Sequence, residues 1–195
     1  GMLICIAGYV LFYIIIAFSQ IYAKSAPSQS EAGYAMGLGF SPQIFTALLM
    51  YSAVSLAISI TISGKCIDKI GRRIWLIWTT VAVAIFGLAL PYFLENGTTV
   101  SLFWFLIIGM GLIGMGYGPL SSFLPELFPT HVRYTGSSLT YNIAGLFGAS
   151  VAAIIALPLN ANYGLKGVGI YLTLNAVLSL IGLWFITETR DRQLL

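Results

Sequence analysis

The chain has 195 residues, 58% of them hydrophobic and 8% charged, and its 9 Lys and Arg against 6 Asp and Glu give a formal charge of +3. A water-soluble domain of that composition would lack the polar side chains needed to cover its surface, so the bilayer is its solvent. The small positive charge is no nucleic-acid signature, because the cations gather in particular connections rather than on a basic, aromatic-bearing face.

A hydrocarbon core about 30 Å thick is crossed by about 20 helical residues. Uncharged apolar runs of that length fall at residues 2–23, 43–63, 74–94, 100–123, 138–159 and 168–186, and none contains Asp, Glu, Lys, Arg or His. Each is about twice the length of a barrel strand, and a helix satisfies its own backbone in lipid. The expected fold class is therefore all-α membrane: one bundle of six transmembrane helices spanning 1–195.

In chain order, Gly1-Met2-Leu3 carries no basic flank and no small-residue cleavage site, which reads as an interior cut rather than a signal peptide. Span 1 places Tyr9, Tyr13 and Gln20 at helical spacing, and span 2 does the same with Ser52, Ser55 and Ser59. Between spans 2 and 3 lies a basic knot, Gly64-Lys65-Cys66-Ile67-Asp68-Lys69-Ile70-Gly71-Arg72-Arg73. Asp68 stands just ahead of span 3, where a carboxylate gains from the helix dipole, and Gly71 permits a tight turn.

Span 4 concentrates Gly109, Gly111, Gly114, Gly116 and Gly118 and ends near Tyr117; its Gly114 and Gly118 have the spacing of a close helix contact. Span 5 opens with Tyr141 and Asn142 and carries a small-residue seam at Gly145, Ala149 and Ala153, while span 6 holds Tyr171 and Asn175. Polar groups at membrane depth face a bundle interior or a water-filled path. Tyr13, Gln20, Tyr117, Tyr141 and Asn142 are therefore the candidate lining of a substrate cavity. The serines read first as interhelical packing.

The cations sort the connections. Lys65, Lys69, Arg72, Arg73, Arg133, Arg190 and Arg192 lie in the 2/3 and 4/5 connections and the tail, against Lys24 and Lys166 on the other side. The positive-inside rule puts the first group, and with it the C-terminus, in the cytoplasm of a multi-pass inner or plasma membrane protein. Cys5, inside a span, and Cys66, on the cytoplasmic side, are expected to be unpaired. His131 reads as a solvated loop histidine, and with Asp68 and Glu126 it lacks the spacing of a metal site. No enzyme constellation, metal or cofactor is expected.

The connection Gly64-x-x-x-Asp68-Lys69-x-Gly71-Arg72-Arg73 is similar to the loop signature of the major facilitator superfamily. The stretch from Pro125-Glu126-Leu127-Phe128-Pro129-Thr130 through Val132-Arg133-Tyr134-Thr135-Gly136 resembles the helix 10/11 loop of its metabolite:proton symporters, with His131 where the family more often has Arg. The tail Glu188-Thr189-Arg190 also resembles superfamily ends.

This resemblance implies that the six spans are helices 7 to 12, the C-terminal half of a 12-helix protein whose N-terminal half is absent. It implies symport of a small polar solute, an organic acid or an osmolyte, with protons. The missing half would supply the coupling group and the opposite wall, since no titratable residue lies within the spans. Gly64, Asp68, Lys69, Gly71, Arg72, Arg73, Glu126 and Arg133 would then form a cytoplasmic gate. The alternative is a non-transporting six-helix module that binds a partner protein through these connections.

Overall fold

The computed structural model describes residues 2–185, with Asp68 described by its backbone alone; Ile186 and the tail residues Glu188, Thr189, Arg190 and Arg192 lie outside the described residues. Five helical stretches are long and apolar enough to cross a membrane. We number them α1 (Met2–Lys24), α2 (Pro42–Ile70), α3 (Arg72–Glu95), α4 (Thr99–Glu126) and α5 (Thr130–Trp184).

The helix starts follow from their caps. Ser41 accepts from the Ile44 N–H with Pro42 at the first helical position, and Thr98 accepts from the Ser101 N–H. Wider π turns interrupt α1 at Ile14–Phe18 and α5 at Leu146–Ser150.

The last stretch of 55 residues is far longer than one bilayer crossing requires. It breaks at Gly164, where φ is 67° and ψ is −170°, a conformation essentially reserved for glycine. The contacts of α1 show what the break does. Ile6 lies against Gly148 while Tyr13 donates to the Ala153 carbonyl at 3.4 Å, so α1 and the first arm of α5, residues 133–163, run the same way. The Ala7 N–H donates to Ser179 Oγ at 3.1 Å, yet Leu3 lies against Gly182, so the second arm, residues 165–184, runs the opposite way. The chain therefore reverses at Gly164.

The core is built on α1, whose Val10, Ile14, Ile15 and Phe18 are fully buried. Phe86 of α3 stacks on Phe105 of α4 at 5.3 Å, and Trp75 Nε1 donates to the Met115 carbonyl at 3.0 Å. Along the α2–α4 seam, Ser55 donates to the Ile107 carbonyl at 3.0 Å and Ser59 lies against Gly111 and Gly114. A methyl group on Gly114 would come within 2.6 Å of the Leu56 carbonyl oxygen, so this seam requires a side chain without Cβ. Elsewhere large apolar groups such as Met50, Ile85, Leu88 and Ile154 are more than half exposed, a surface suited to lipid or to another apolar partner.

Two connections differ from the sequence reading. The knot at 64–73 is mostly helix, because α2 continues through Ile70 and only Gly71, with φ 99°, leaves helical geometry. Asp68 thus belongs to the last turn of α2 rather than to the approach to α3. Polar residues end a hydrophobic run but do not end a helix; Gly71 does. At the opposite end, Asn160 stays helical and buried instead of opening a loop, because its Nδ2 donates to the Ala35 carbonyl at 3.1 Å. That carbonyl lies in a small hairpin over 25–41, bridged between Gln29 and Ala35 and tied back to α1 by Leu38 N–H to Tyr22 O.

Candidate functional site

At one end of the bundle the helices are joined by charge. Gly71 turns the chain so that Arg72 opens α3, and Arg72 forms an ion pair with Glu126, the last residue of α4. A cation at a helix N-terminus and an anion at a C-terminus each oppose the local dipole, and the pair offsets both penalties. Arg73 lies at the favourable end of another helix: its Nε donates to the Leu183 carbonyl and its Nη2 to the Trp184 carbonyl, both at 3.0 Å. Between them these two arginines fasten α3 to α4 and to the second arm of α5.

Arg133 begins the helix that follows, with its Nε buried and without a partner among the described residues. Lys69 is exposed at the end of α2, and Gly64 faces open space one and a half turns earlier. The residues of the two signature stretches thus share one end of the molecule. Phe128 explains part of the second: its ring rests on Gly136, in the first α-helical turn after Arg133, and folds the 127–132 connection back on that helix.

The residues proposed as cavity lining separate into two groups. Tyr117 and Tyr141 line an internal cavity of about 40 Å³ between α1, α3, α4 and the first arm of α5, together with Tyr9, Cys5, Thr79 and Thr80. Tyr141 donates to the Leu120 carbonyl at 3.2 Å, and both threonine hydroxyls are spent on their own helix, at Trp75 and Leu76. That space has room for a few waters rather than a solute. Tyr13, Gln20 and Asn142 lie elsewhere: Tyr13 reaches across to Ala153, Gln20 is exposed on α1, and Asn142 is exposed on α5 beside exposed Ser138 and Thr135.

Sequence reasoning passed over two residues that join elements. Ser179 ties α1 to the second arm through Ala7 and Leu3, and Asn160 ties the first arm to the hairpin. For Ser179 the available signal was its isolation as a polar residue within an apolar run.

Over residues 29–195 the sequence matches the family described as sugar (and other) transporters. The chain belongs to that family, within the major facilitator superfamily. Among the proteins it is similar to, one from Haemophilus influenzae, provisionally named a metabolite transport protein, is 87% identical over 194 residues, covering 100% of this chain and 43% of that protein. The inner membrane metabolite transport protein YhjE of Escherichia coli is 39% identical over 195 residues, again 100% of this chain and 43% of its own length. The proline/betaine transporter of Escherichia coli is 30% identical over 174 residues, 83% of this chain and 34% of its own. The chain thus spans less than half the length of these curated relatives. No solved structure matches it significantly. The family and these relatives are described as transporters, not enzymes.

Proposed function

We propose that the chain is the C-terminal half of a secondary transporter that moves a small polar metabolite, an organic acid or osmolyte, by alternating access coupled to protons. In this reading the two arms of α5 are separate crossings, so the half crosses the membrane six times. The arginine-bearing end and the tail face the cytoplasm, and the signature residues gate that side against an N-terminal six-helix half. The reversal at Gly164 supports the count, the distribution of Lys and Arg supports the orientation, and the length of the relatives supports a second half.

The observation that carries the proposal is the exposure of Gln20, Ser138 and Asn142 within stretches otherwise apolar enough for lipid. Exposed polar groups in such stretches disfavour contact with acyl chains, so in this reading these positions line a wet path closed by the other half. Proton coupling rests on the resemblance of the 125–136 stretch to the symporter loop, and its titratable group is assigned to the other half.

The test is uptake by the full-length protein in proteoliposomes, with carboxylates compared against betaines and proline. A pH gradient, acidic outside, should drive accumulation of one of these classes, and collapsing the gradient should abolish it. Accumulation that is indifferent to the gradient would remove the proton, and no uptake of any class would remove the transport reading.

A further inference from the structure

The second arm of α5 and α3 touch where neither has a side chain. A Cβ on Gly87 would meet the Gly169 carbonyl at 2.9 Å, and a Cβ on Gly169 would strike the Gly87 backbone. Toward the end of the bundle remote from Arg72, residues of the two helices flank a gap that they fill only in part. The result is a lateral groove of about 430 Å³ lined by Gly87, Leu88, Pro91, Tyr92, Glu95 and Lys166, together with Ile170.

Its two ends differ in chemistry. The deep end is apolar, with Leu88 64% and Ile170 53% exposed along its walls. Glu95 is the last of the 24 residues of α3, about 35 Å of helix from Arg72, which places it at the membrane–water interface. Lys166 lies two residues beyond the Gly164 reversal, at the same level. The two side chains line one groove, yet neither is in an ion pair among the described residues. An anion and a cation that line the mouth of an apolar slot without pairing leave room for a group of the reverse polarity between them. Tyr92, 73% exposed, adds an aromatic side chain at the depth where such rings anchor to headgroups.

We propose that this groove is a binding site for a phospholipid of the ethanolamine class. The lipid phosphate pairs with Lys166, the primary ammonium donates to the Glu95 carboxylate, and an acyl chain lies down the slot past Leu88 and Ile170. A primary ammonium offers hydrogen-bond donors to a carboxylate that a choline head lacks. A glycerol head offers no cation, so Glu95 then meets only the phosphate's negative charge. The site rests on the membrane-spanning character of the chain and stands or falls independently of transport.

The experiment is native mass spectrometry of the full-length protein in detergent, offered equimolar ethanolamine, choline and glycerol phospholipids of identical acyl chains. Retained lipid is counted for the unmodified protein and for Glu95→Gln and Lys166→Gln, both exposed positions where substitution leaves the fold intact. The expected result is about a fivefold preference for the ethanolamine lipid, lost in Glu95→Gln, with total phospholipid retention reduced in Lys166→Gln. Equal retention of the three lipids by the unmodified protein, or a preference that survives both substitutions, would mean annular lipid only and overturn the site.

Discussion

Arg72, the first residue of α3, is ion-paired with Glu126, the last residue of α4, with the two side chains 24% and 16% exposed. That exposure makes the pair partly desolvated, so it is worth more than a surface bridge and less than a buried one. Glu126→Gln should cost about 1–3 kcal/mol, read as a lower Tm of the full-length protein in detergent. The reversed pair, Arg72→Glu with Glu126→Arg, places each charge at the favourable end of its helix dipole and should recover most of that loss. A reversed pair no more stable than the single variant would show that the bridge is not the source.

Gly114 and Gly116 are neighbours on α4 with opposite expected responses to alanine. A Cβ at Gly114 meets the Leu56 carbonyl oxygen at 2.6 Å and Ser59 Cβ at 2.9 Å, so α2 must be pushed away, at a cost of about 1–3 kcal/mol. At Gly116 the nearest atom is Thr79 Cγ2 at 3.9 Å, and alanine should gain up to about 1 kcal/mol of helix propensity. Unfolding of both variants in mixed micelles measures the difference. Equal effects would mean that the seam is looser than described.

Lipid-length apolar runs and the sorting of cations were legible because each rests on composition alone, and the signature stretches because their spacing is local. A network of Glu126 with Arg72 or Arg73 was legible from the same two connections, but which of the two arginines pairs with it was not, since that depends on how the helix ends meet. Nor was the extension of α2 to Ile70: hydropathy falls at Gly64, whereas the backbone turns only at Gly71. The polar positions divided for a similar reason. Tyr117 and Tyr141 share a cavity with Tyr9, while Asn142, adjacent to Tyr141, points outward, because consecutive helical residues lie about 100° apart and only packing decides which is inward.

If Asn142 faces a wet path and Ile154 faces lipid, cysteines at the two positions should react differently. Both residues are exposed on the first arm of α5, so burial does not separate them. With Cys5→Ala and Cys66→Ser in the full-length background, Asn142→Cys should label with a charged, water-soluble thiol reagent at least about tenfold faster than Ile154→Cys. A thiol in hydrocarbon stays protonated and out of reach of the reagent. Equal rates would place both positions in one environment and remove the polar face on which the transport reading rests.

Gly164 reverses α5 beneath the ring of Tyr34, so the elbow between the two arms and the hairpin at 25–41 bear on one another. Alanine at Gly164 carries two separable penalties. One is the backbone, held at φ 67° and ψ −170°, at about 1–3 kcal/mol. The other is contact, since the added methyl lies 2.6 Å from Tyr34 Cδ1. Tyr34→Ala removes the second and leaves the first. In a double-mutant cycle read by Tm, Gly164→Ala should therefore cost less in the Tyr34→Ala background, by about 0.5–1 kcal/mol. Strict additivity would mean that the hairpin does not rest on the elbow. A vanishing cost in the double variant would mean that the backbone conformation at Gly164 is not what turns the chain.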